Sequence, residues 1–359
     1  MSVSAAGPYT RPMALWLVAC AAMIFVMVLL GGATRLTESG LSMVEWKPLT
    51  ILPPMSDADW QTEFQAYQSS PEFIKENSWM TVDDFKEIYW LEYIHRNWGR
   101  LIGLVFAIPF AWFVYKKAVD RTLGLKLAGL FILGGAQGAL GWFMVASGLQ
   151  DRPDVSQYRL AAHLILAFIV YGLILWVALD LFRSRRRNVP GSSDIGFARL
   201  TLGLSIFILF VAMSGAFVAG LDAGLIYNTF PLMDGQLVPD GVYTPAPWYV
   251  AMFEDIMTVQ FNHRMLAISA VILVIYTWWR SRAQKLGKYA HGLAGRLLAM
   301  ALLQAGLGVY TLLMVVPLGA ALAHQAGALI LFTIALCLAH EARASSATAA
   351  VRMQYKPAE

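Results

Sequence analysis

The chain has 359 residues, of which 58% are hydrophobic and only 14% are charged. Together with a mean hydropathy of +0.57, this composition excludes an ordinary soluble globular protein and predicts an integral membrane protein. The net charge of +4 follows from basic residues in short loops, and no folded basic domain is present, so a nucleic-acid partner is not expected.

Eight apolar segments reach the length of about 20 residues that crosses the hydrocarbon core of a bilayer. They are Met13–Ala33, His95–Tyr115, Leu123–Ala146, Leu160–Phe182, Leu200–Gly220, Phe261–Trp279, Leu293–Val316 and Leu318–His340. The first span has no clear cleavage site, so we interpret it as a retained helix. Cys20 and Cys337 lie inside spans, and no disulfide is predicted outside the membrane.

Lysine and arginine concentrate in alternate loops, those after the second, fourth and sixth spans. The residues are Lys116, Lys117, Arg121, Lys126, Arg183, Arg185, Arg186, Arg187, Arg199, Arg280, Arg282, Lys285, Lys288 and Arg296. Short basic loops stay cytoplasmic. The sequence therefore predicts a multi-pass protein of the bacterial cell (inner) membrane with both termini in the cytoplasm.

The first outer loop, Leu36 to Tyr93, is long and aromatic. Its last part, from Thr81, has the spacing of an amphipathic helix capped by Thr81 and Asp84. We expect this segment to lie on the membrane surface as a lid, with most of the acidic side chains of the loop facing solvent.

The chain repeats itself. His95-Arg96 opens the second span and His263-Arg264 the sixth, Gln137–Gly141 matches Gln304–Gly308, and His163 matches His324. Each repeat has an even number of spans, so the two halves share one orientation. The predicted fold is an all-α integral membrane protein whose eight transmembrane helices form two pseudo-symmetric four-helix bundles. Its parts are an N-terminal half (1–182, with the outer loop 36–93), a cytoplasmic linker (183–199), a C-terminal half (200–340) and a cytoplasmic tail (341–359).

Four histidines stand near the outer ends of the inward-running spans: His95, His163, His263 and His324. A six-coordinate b-type haem takes two neutral imidazoles from different helices at one depth. The matched positions predict two haem sites near the periplasmic side. His291 and His340 have no matching pattern, and we interpret them as interfacial side chains.

Arginines and glycines near these histidines fit the same chemistry. Haem propionates need cationic partners, for which Arg96, Arg264, Arg100 and Arg35 are candidates. Arg159 lies near the same level. The glycines that would let helices or a flat macrocycle approach closely are Gly31, Gly32, Gly134, Gly135, Gly138, Gly141, Gly306 and Gly308.

Glu92 differs from the other acids of the outer loop because it precedes His95 by three residues. On a continuous helix the two side chains would face the same way. A carboxylate beside an iron ligand can manage protons or position water.

These motifs resemble the haem A synthase family, in the mitochondrial and proteobacterial branch that lacks paired loop cysteines. The segment Glu92-Tyr-Ile-His-Arg-Asn-Trp-Gly-Arg-Leu-Ile-Gly103 is similar to its Glu-x-x-His-Arg-x-x-Gly-Arg-x-x-Gly motif, and Thr34–Ser42 and Ala219–Pro231 resemble its signatures after the first and fifth helices. The resemblance extends from about Met13 to His340.

The resemblance implies an oxidation of the C8 methyl of haem O to the formyl group of haem A, through a hydrated aldehyde with oxygen drawn from water. It implies that His263 and His324 ligate a resident haem b, that His95 and His163 hold the substrate haem, and that Glu92 is catalytic. The expected partners are haem O and haem A, membrane lipid, a haem O synthase and an unidentified electron acceptor. Homo-oligomerisation is left open.

Three other functions use some of the same features. A bis-histidine dihaem cytochrome for membrane electron transfer would share the ligands, but it usually stacks its haems across the bilayer. A haem-handling protein would bind haem without catalysis, and no tryptophan-rich haem-handling loop is evident. A farnesylating enzyme needs Asp-rich motifs within its helices, which the sequence lacks.

Overall fold

The computed structural model describes residues 7–45, 52–148, 155–184 and 191–354, with side chains omitted at 147–148, 191–192 and 347–354. The helices are α1 (Thr10–Leu36), α2 (Asp57–Gln68), α3 (Val82–Tyr115), α4 (Arg121–Gly148), α5 (Gln157–Ser184), α6 (Ile195–Gly220), α7 (Trp248–Glu254), α8 (Ile256–Arg282), α9 (Lys288–Leu313) and α10 (Leu318–Gln354). Short additional elements are a π-helical turn (Phe73–Asn77), a 3₁₀ turn (Ala223–Leu225) and the strands β1 (Gly191–Ser192) and β2 (Lys285–Leu286).

Eight of these helices are long and apolar enough to cross a membrane: α1, α3, α4, α5, α6, α8, α9 and α10. The prediction of an all-α membrane protein with eight spans is confirmed. Cys20 and Cys337 are free thiols inside α1 and α10.

Helix α3 corrects the expectation of a surface lid. Thr81 and Asp84 form the predicted capping box, but the helix that they begin runs without a break for 34 residues to Tyr115. Its first turns therefore continue the axis of the second span, and the prediction of a separate helix lying flat on the membrane is wrong.

The outer loop folds as a small module around its own aromatic core, which we call the outer module (residues 52–93). Helix α2, which the sequence analysis missed, starts at a capping box on Ser56. The buried core side chains are Trp60, Phe64, Tyr67, Phe85 and Tyr89. Trp79 and Trp90 of the same module are 67% and 40% exposed.

Besides Glu92, the outer module has a second buried acid, which the sequence analysis did not expect. Glu72 is only 5% exposed and accepts a hydrogen bond of 3.0 Å from the hydroxyl of Tyr67, which in turn accepts one from Asn77. Burial is the main cause that raises the pKa of the Glu72 carboxyl to about 7.

The chain divides into two compact units, residues 19–170 and residues 1–18 with 171–359. In the first unit, Trp98 of α3 donates to the Met23 carbonyl of α1, and Phe106 of α3 stacks on Phe131 of α4. The unit boundaries fall inside α1 and α5, whereas the sequence analysis placed a boundary at the 183–199 linker. That division stays a prediction.

In the second unit, four spans pack in a ring, because α6 contacts α8 and α10 while α9 contacts the same two helices. This is a four-helix bundle of the C-terminal half. A matching bundle in the N-terminal half, and hence the pseudo-symmetry of the two, remains predicted.

Chain segments at one end of this bundle are tied together. Strand β1 pairs antiparallel with β2. The Ser193 hydroxyl donates to the Ala342 carbonyl, and the Gln284 side-chain amide donates to the Asp194 carboxylate. The loops before α6 and after α8 thus lie at the same end, as alternating spans require. Residues 185–190 of the predicted linker and 355–359 of the predicted tail lie outside the described residues.

Candidate functional site

The four predicted histidines lie on α3, α5, α8 and α10 and are each half-buried. His95 and His163 in the first unit lie near enough for their charges to interact, and so do His263 and His324 in the second. These are the two pairs that the family resemblance implies as haem ligands.

Each histidine ring packs against a glycine of a neighbouring helix. A methyl group built on the glycine would lie very close to the ring atom Cε1: 3.2 Å for Gly31 and His95, 2.9 Å for Gly141 and His163, 3.1 Å for Gly215 and His263, and 2.8 Å for Gly308 and His324. A side chain at Gly141 or Gly308 would force the ring to shift, and one at Gly31 or Gly215 would press on it more tightly than ordinary contacts do.

This fourfold packing refines the glycine prediction. Gly31, Gly141 and Gly308 were predicted, whereas Gly215 was not. A methyl group at Gly134, Gly135, Gly138 or Gly306 would have no described atom within 4 Å, so these glycines mediate no close packing among the described residues.

Two of the rings are hydrogen-bonded to hydroxyl groups that the sequence analysis missed. Thr34 Oγ1 lies 3.2 Å from His95 Nδ1, and Ser214 Oγ lies 2.8 Å from His263 Nδ1. Thr34 is in the last turns of α1 and Ser214 in the corresponding part of α6.

The other two histidines are hydrogen-bonded to glutamine amides of the repeated Gln-x-x-x-Gly segment. Gln137 Nε2 donates to the His163 carbonyl (3.0 Å) and lies 3.3 Å from the ring Nε2. Gln304 Nε2 donates to the His324 carbonyl (2.8 Å) and lies 3.1 Å from the ring Nδ1. The repeat in the sequence was the signal for this pair, and its physical meaning is that each glutamine holds the start of a histidine-bearing helix.

Glu92 is buried, with 3% exposure, and both carboxylate oxygens are held. Ser42 Oγ and the Met43 N–H donate to Oε2 at 2.7 and 2.8 Å. Arg96 donates to Oε1 through Nη2 at 2.5 Å and Nε at 3.0 Å. The carboxylate therefore anchors the segment after α1 to α3, one turn before His95.

The C-terminal half has an amide in the corresponding place. Gln260 precedes His263 by three residues, is 2% exposed, and donates from Nε2 to the carbonyls of Ala223 and Ile226. The Gln260 Oε1 accepts from Arg264 at 2.9 Å. Glu92 faces donors and Gln260 faces carbonyl acceptors, which explains why a carboxylate serves in one half and an amide in the other.

The predicted propionate partners also hold loops. Arg96 Nη2 donates to the Met43 carbonyl at 2.9 Å, and Arg264 donates to the carbonyls of Tyr227 and Thr229 at 2.6 and 2.7 Å. Tyr227 and Thr229 lie within the signature Ala219–Pro231, and Met43 directly follows the signature Thr34–Ser42.

The remaining candidate arginines are placed differently. Arg100 donates to Asn97 within α3, and Arg35 lies in the last turn of α1. A buried Nε of Arg264 has no hydrogen-bond partner among the described residues.

His291 is exposed at the start of α9, but His340 is not interfacial. It is 5% exposed, its Nε2 lies 2.9 Å from Asp180 Oδ1, and the ring packs edge-on against Trp176. The interpretation of His340 as an interfacial side chain is wrong, because α5 supplies a carboxylate partner that the sequence spacing did not reveal.

The residues present fit two bis-histidine haems. Among the described residues no three His, Cys, Asp or Glu side chains gather as a metal cluster, and a haem iron needs only two protein ligands. Buried polar atoms without a partner in the described part of the chain occur beside both glutamine-bonded rings: His163 Nδ1, Gln137 Oε1 and Gln304 Oε1. Such atoms in an apolar setting mark places that another group completes.

Comparison with known proteins gives the family. The sequence pattern of the COX15–CtaA family, described as cytochrome oxidase assembly proteins, matches residues 14–336. A haem A synthase of Nitrosospira multiformis is 51% identical over 93% of this chain and 94% of its own length. One of Paramagnetospirillum magneticum is 51% identical over 92% and 94%, and haem A synthase COX15 of Arabidopsis thaliana is 44% identical over 92% and 75%. The chain therefore belongs to the COX15–CtaA family, the family of these haem A synthases.

Proposed function

We propose that this membrane protein is a haem A synthase, an oxidoreductase that converts the C8 methyl of haem O to the formyl group of haem A for cytochrome oxidase. The observation that carries the proposal is the pairing of four glycine-packed histidines, two in each half, in a chain whose relatives bear that name. The alternative of a dihaem electron-transfer cytochrome finds no support among these relatives.

The two pairs take different roles in this proposal. His263 and His324 would hold a resident haem b, which when bound passes electrons from the substrate toward an acceptor. His95 and His163 would hold haem O as substrate. The difference between Glu92 and Gln260 supports this division, because a carboxylate can accept a proton and a primary amide cannot at neutral pH.

The reaction defines what the protein side chains must do. Oxidation of a methyl group to a formyl group, with oxygen from water, releases four protons and four electrons per haem. A base or a water-positioning group near the methyl is therefore needed, and such a group typically contributes about 10²- to 10⁴-fold to rate.

Glu92 is the proposed catalytic carboxylate. It lies one helical turn from His95, and its Oε2 accepts the hydroxyl hydrogen of Ser42. Arg96 fixes the other oxygen, so that the group is held in one place. Arg96, Arg264, Arg100 and Arg35 remain the proposed partners of the propionates.

The orientation belongs to the proposal as well. The basic loops place the termini in the cytoplasm and the haem sites near the periplasmic side. The electron acceptor and a haem O synthase that supplies the substrate are the expected partners.

The test is a haem extract of membranes from a host that makes haem O, with and without this chain. We expect haem A only with the chain, and we expect His163→Ala to abolish it while His291→Ala, a matched change at an exposed histidine, leaves it intact. Haem O that stays unconverted although the wild-type protein is present in the membrane would contradict the proposal.

A further inference from the structure

The hydroxyl groups beside His95 and His263 indicate which ring nitrogen has a lone pair available for a metal. Ser214 Oγ donates to the Val211 carbonyl at 2.7 Å and lies 2.8 Å from His263 Nδ1. A hydroxyl has one hydrogen and two lone pairs. With the hydrogen assigned to the shorter bond with the carbonyl, Ser214 offers a lone pair to the ring, and Nδ1 is the ring nitrogen that carries a hydrogen.

The same count applies in the other half. Thr34 Oγ1 donates to the Leu30 carbonyl at 2.8 Å and lies 3.2 Å from His95 Nδ1. A neutral imidazole carries a single N–H. With that hydrogen on Nδ1, the lone pair of Nε2 is free, which is the form of histidine that binds a metal.

A glycine faces each ring as well. A methyl group built on Gly215 or Gly31 would lie nearest to Cε1, the ring atom between the two nitrogens. Hydroxyl and glycine sit on one helix in each case, adjacent in α6 (214 and 215) and three residues apart in α1 (31 and 34). The two halves reach the same arrangement through different spacing, so neither was evident from the repeat.

We propose that Ser214 and Thr34 are positioning residues that fix the Nδ1–H tautomer and the ring orientation of His263 and His95, and so present Nε2 to a haem iron. This inference rests on the proposed function in that it takes these histidines to be iron ligands. A hydrogen bond from Nδ1–H to oxygen also strengthens the ring as an electron donor, which favours the ferric form and lowers the reduction potential of the haem.

The test uses the full-length purified protein with its resident haem. Ser214→Ala should raise the midpoint potential of the haem, change its low-spin electron paramagnetic resonance spectrum, and weaken haem binding by about 10- to 100-fold, the usual cost of losing such a partner. Ser214→Thr should restore the wild-type values, and Ser214→Cys, of similar size but a weaker acceptor, should give intermediate ones.

Ser205→Ala is the matched control. Ser205 is a buried serine of the same helix whose hydroxyl donates to the Thr201 carbonyl, and its loss should leave the spectrum and the potential unchanged. A Ser214→Ala protein with wild-type potential and spectrum would overturn the inference. If His263→Ala kept the low-spin spectrum, the ligand assignment itself would fail and the inference with it, which separates the two failures.

Discussion

Substitution of Gly308 by alanine tests the packing of His324 directly. The added methyl group would lie 2.8 Å from Cε1 and 3.4 Å from Nδ1 of the ring. Two carbon atoms in van der Waals contact lie about 3.5 Å or more apart. The ring and the helix must therefore separate by roughly 0.7 Å.

Movement of the ring costs less free energy than separation of the two helices. Displacing it weakens the contact between Gln304 Nε2 and His324 Nδ1 (3.1 Å), which costs about 1 kcal/mol. Forcing α9 and α10 apart would disturb many packing contacts, and overpacking of that kind costs typically about 1–3 kcal/mol. We therefore expect Gly308→Ala to fold and to misplace the ligand.

A side chain that ligates a metal must be held to within about 0.5 Å of its position for full function. The displaced ring of His324 should therefore weaken binding of the resident haem by about 10- to 100-fold. The measurement is haem content per protein, with the reduced-minus-oxidised spectrum, after purification. Gly295→Ala is the control, because Gly295 is in the same helix and a methyl group there meets no described atom within 4 Å.

The four positions form a series. Gly141→Ala should disturb His163 almost as strongly, with a contact of 2.9 Å, and Gly31→Ala should disturb His95 less, with 3.2 Å. Equal haem content and equal spectra in the Gly308→Ala and Gly295→Ala proteins would refute the reasoning.

Three further outcomes are expected. Glu92→Gln should keep the resident haem yet lose about 10²-fold or more of haem A formation, measured by haem extraction; a wild-type rate would make Glu92 a loop anchor only. The outer module should lose stability as the pH rises from about 4.5 to about 7, because the raised pKa of Glu72 means that folding favours the protonated form; limited proteolysis across this range should show the loss, and Glu72→Gln should remove the pH dependence. In a background without the native cysteines, Ser69→Cys should react with an impermeant thiol reagent in intact cells and Ser192→Cys should not, and the reverse pattern would invert the proposed orientation.

The spans and the histidine pairs could be read from the sequence because both depend on local or repeated patterns. Apolar length decides whether a helix can cross a bilayer, and the four histidines recur at matched positions of an internal repeat. The internal partners of a side chain depend instead on how distant segments pack. The hydroxyl groups of Thr34, the first residue of the Thr34–Ser42 signature, and of Ser214 had no predicted role, because their contacts with the rings depend on how the neighbouring helices pack.

The outer module shows the same limit. The capping box at Thr81 is a local signal and was predicted correctly, but whether the helix stops or continues into the next span depends on the absence of a break before His95. Burial of Glu72 and of His340 arises from partners, Tyr67 and Asp180, whose proximity the spacing alone did not show.

The haem composition of two purified variants tests the central claim most directly. In a host that makes haem O, His324→Ala should lose the resident haem b, whereas His163→Ala should keep haem b at the wild-type level and lack haem O and haem A. Retention of full haem b by His324→Ala, or its loss from both variants alike, would contradict the assignment of separate roles to the two histidine pairs.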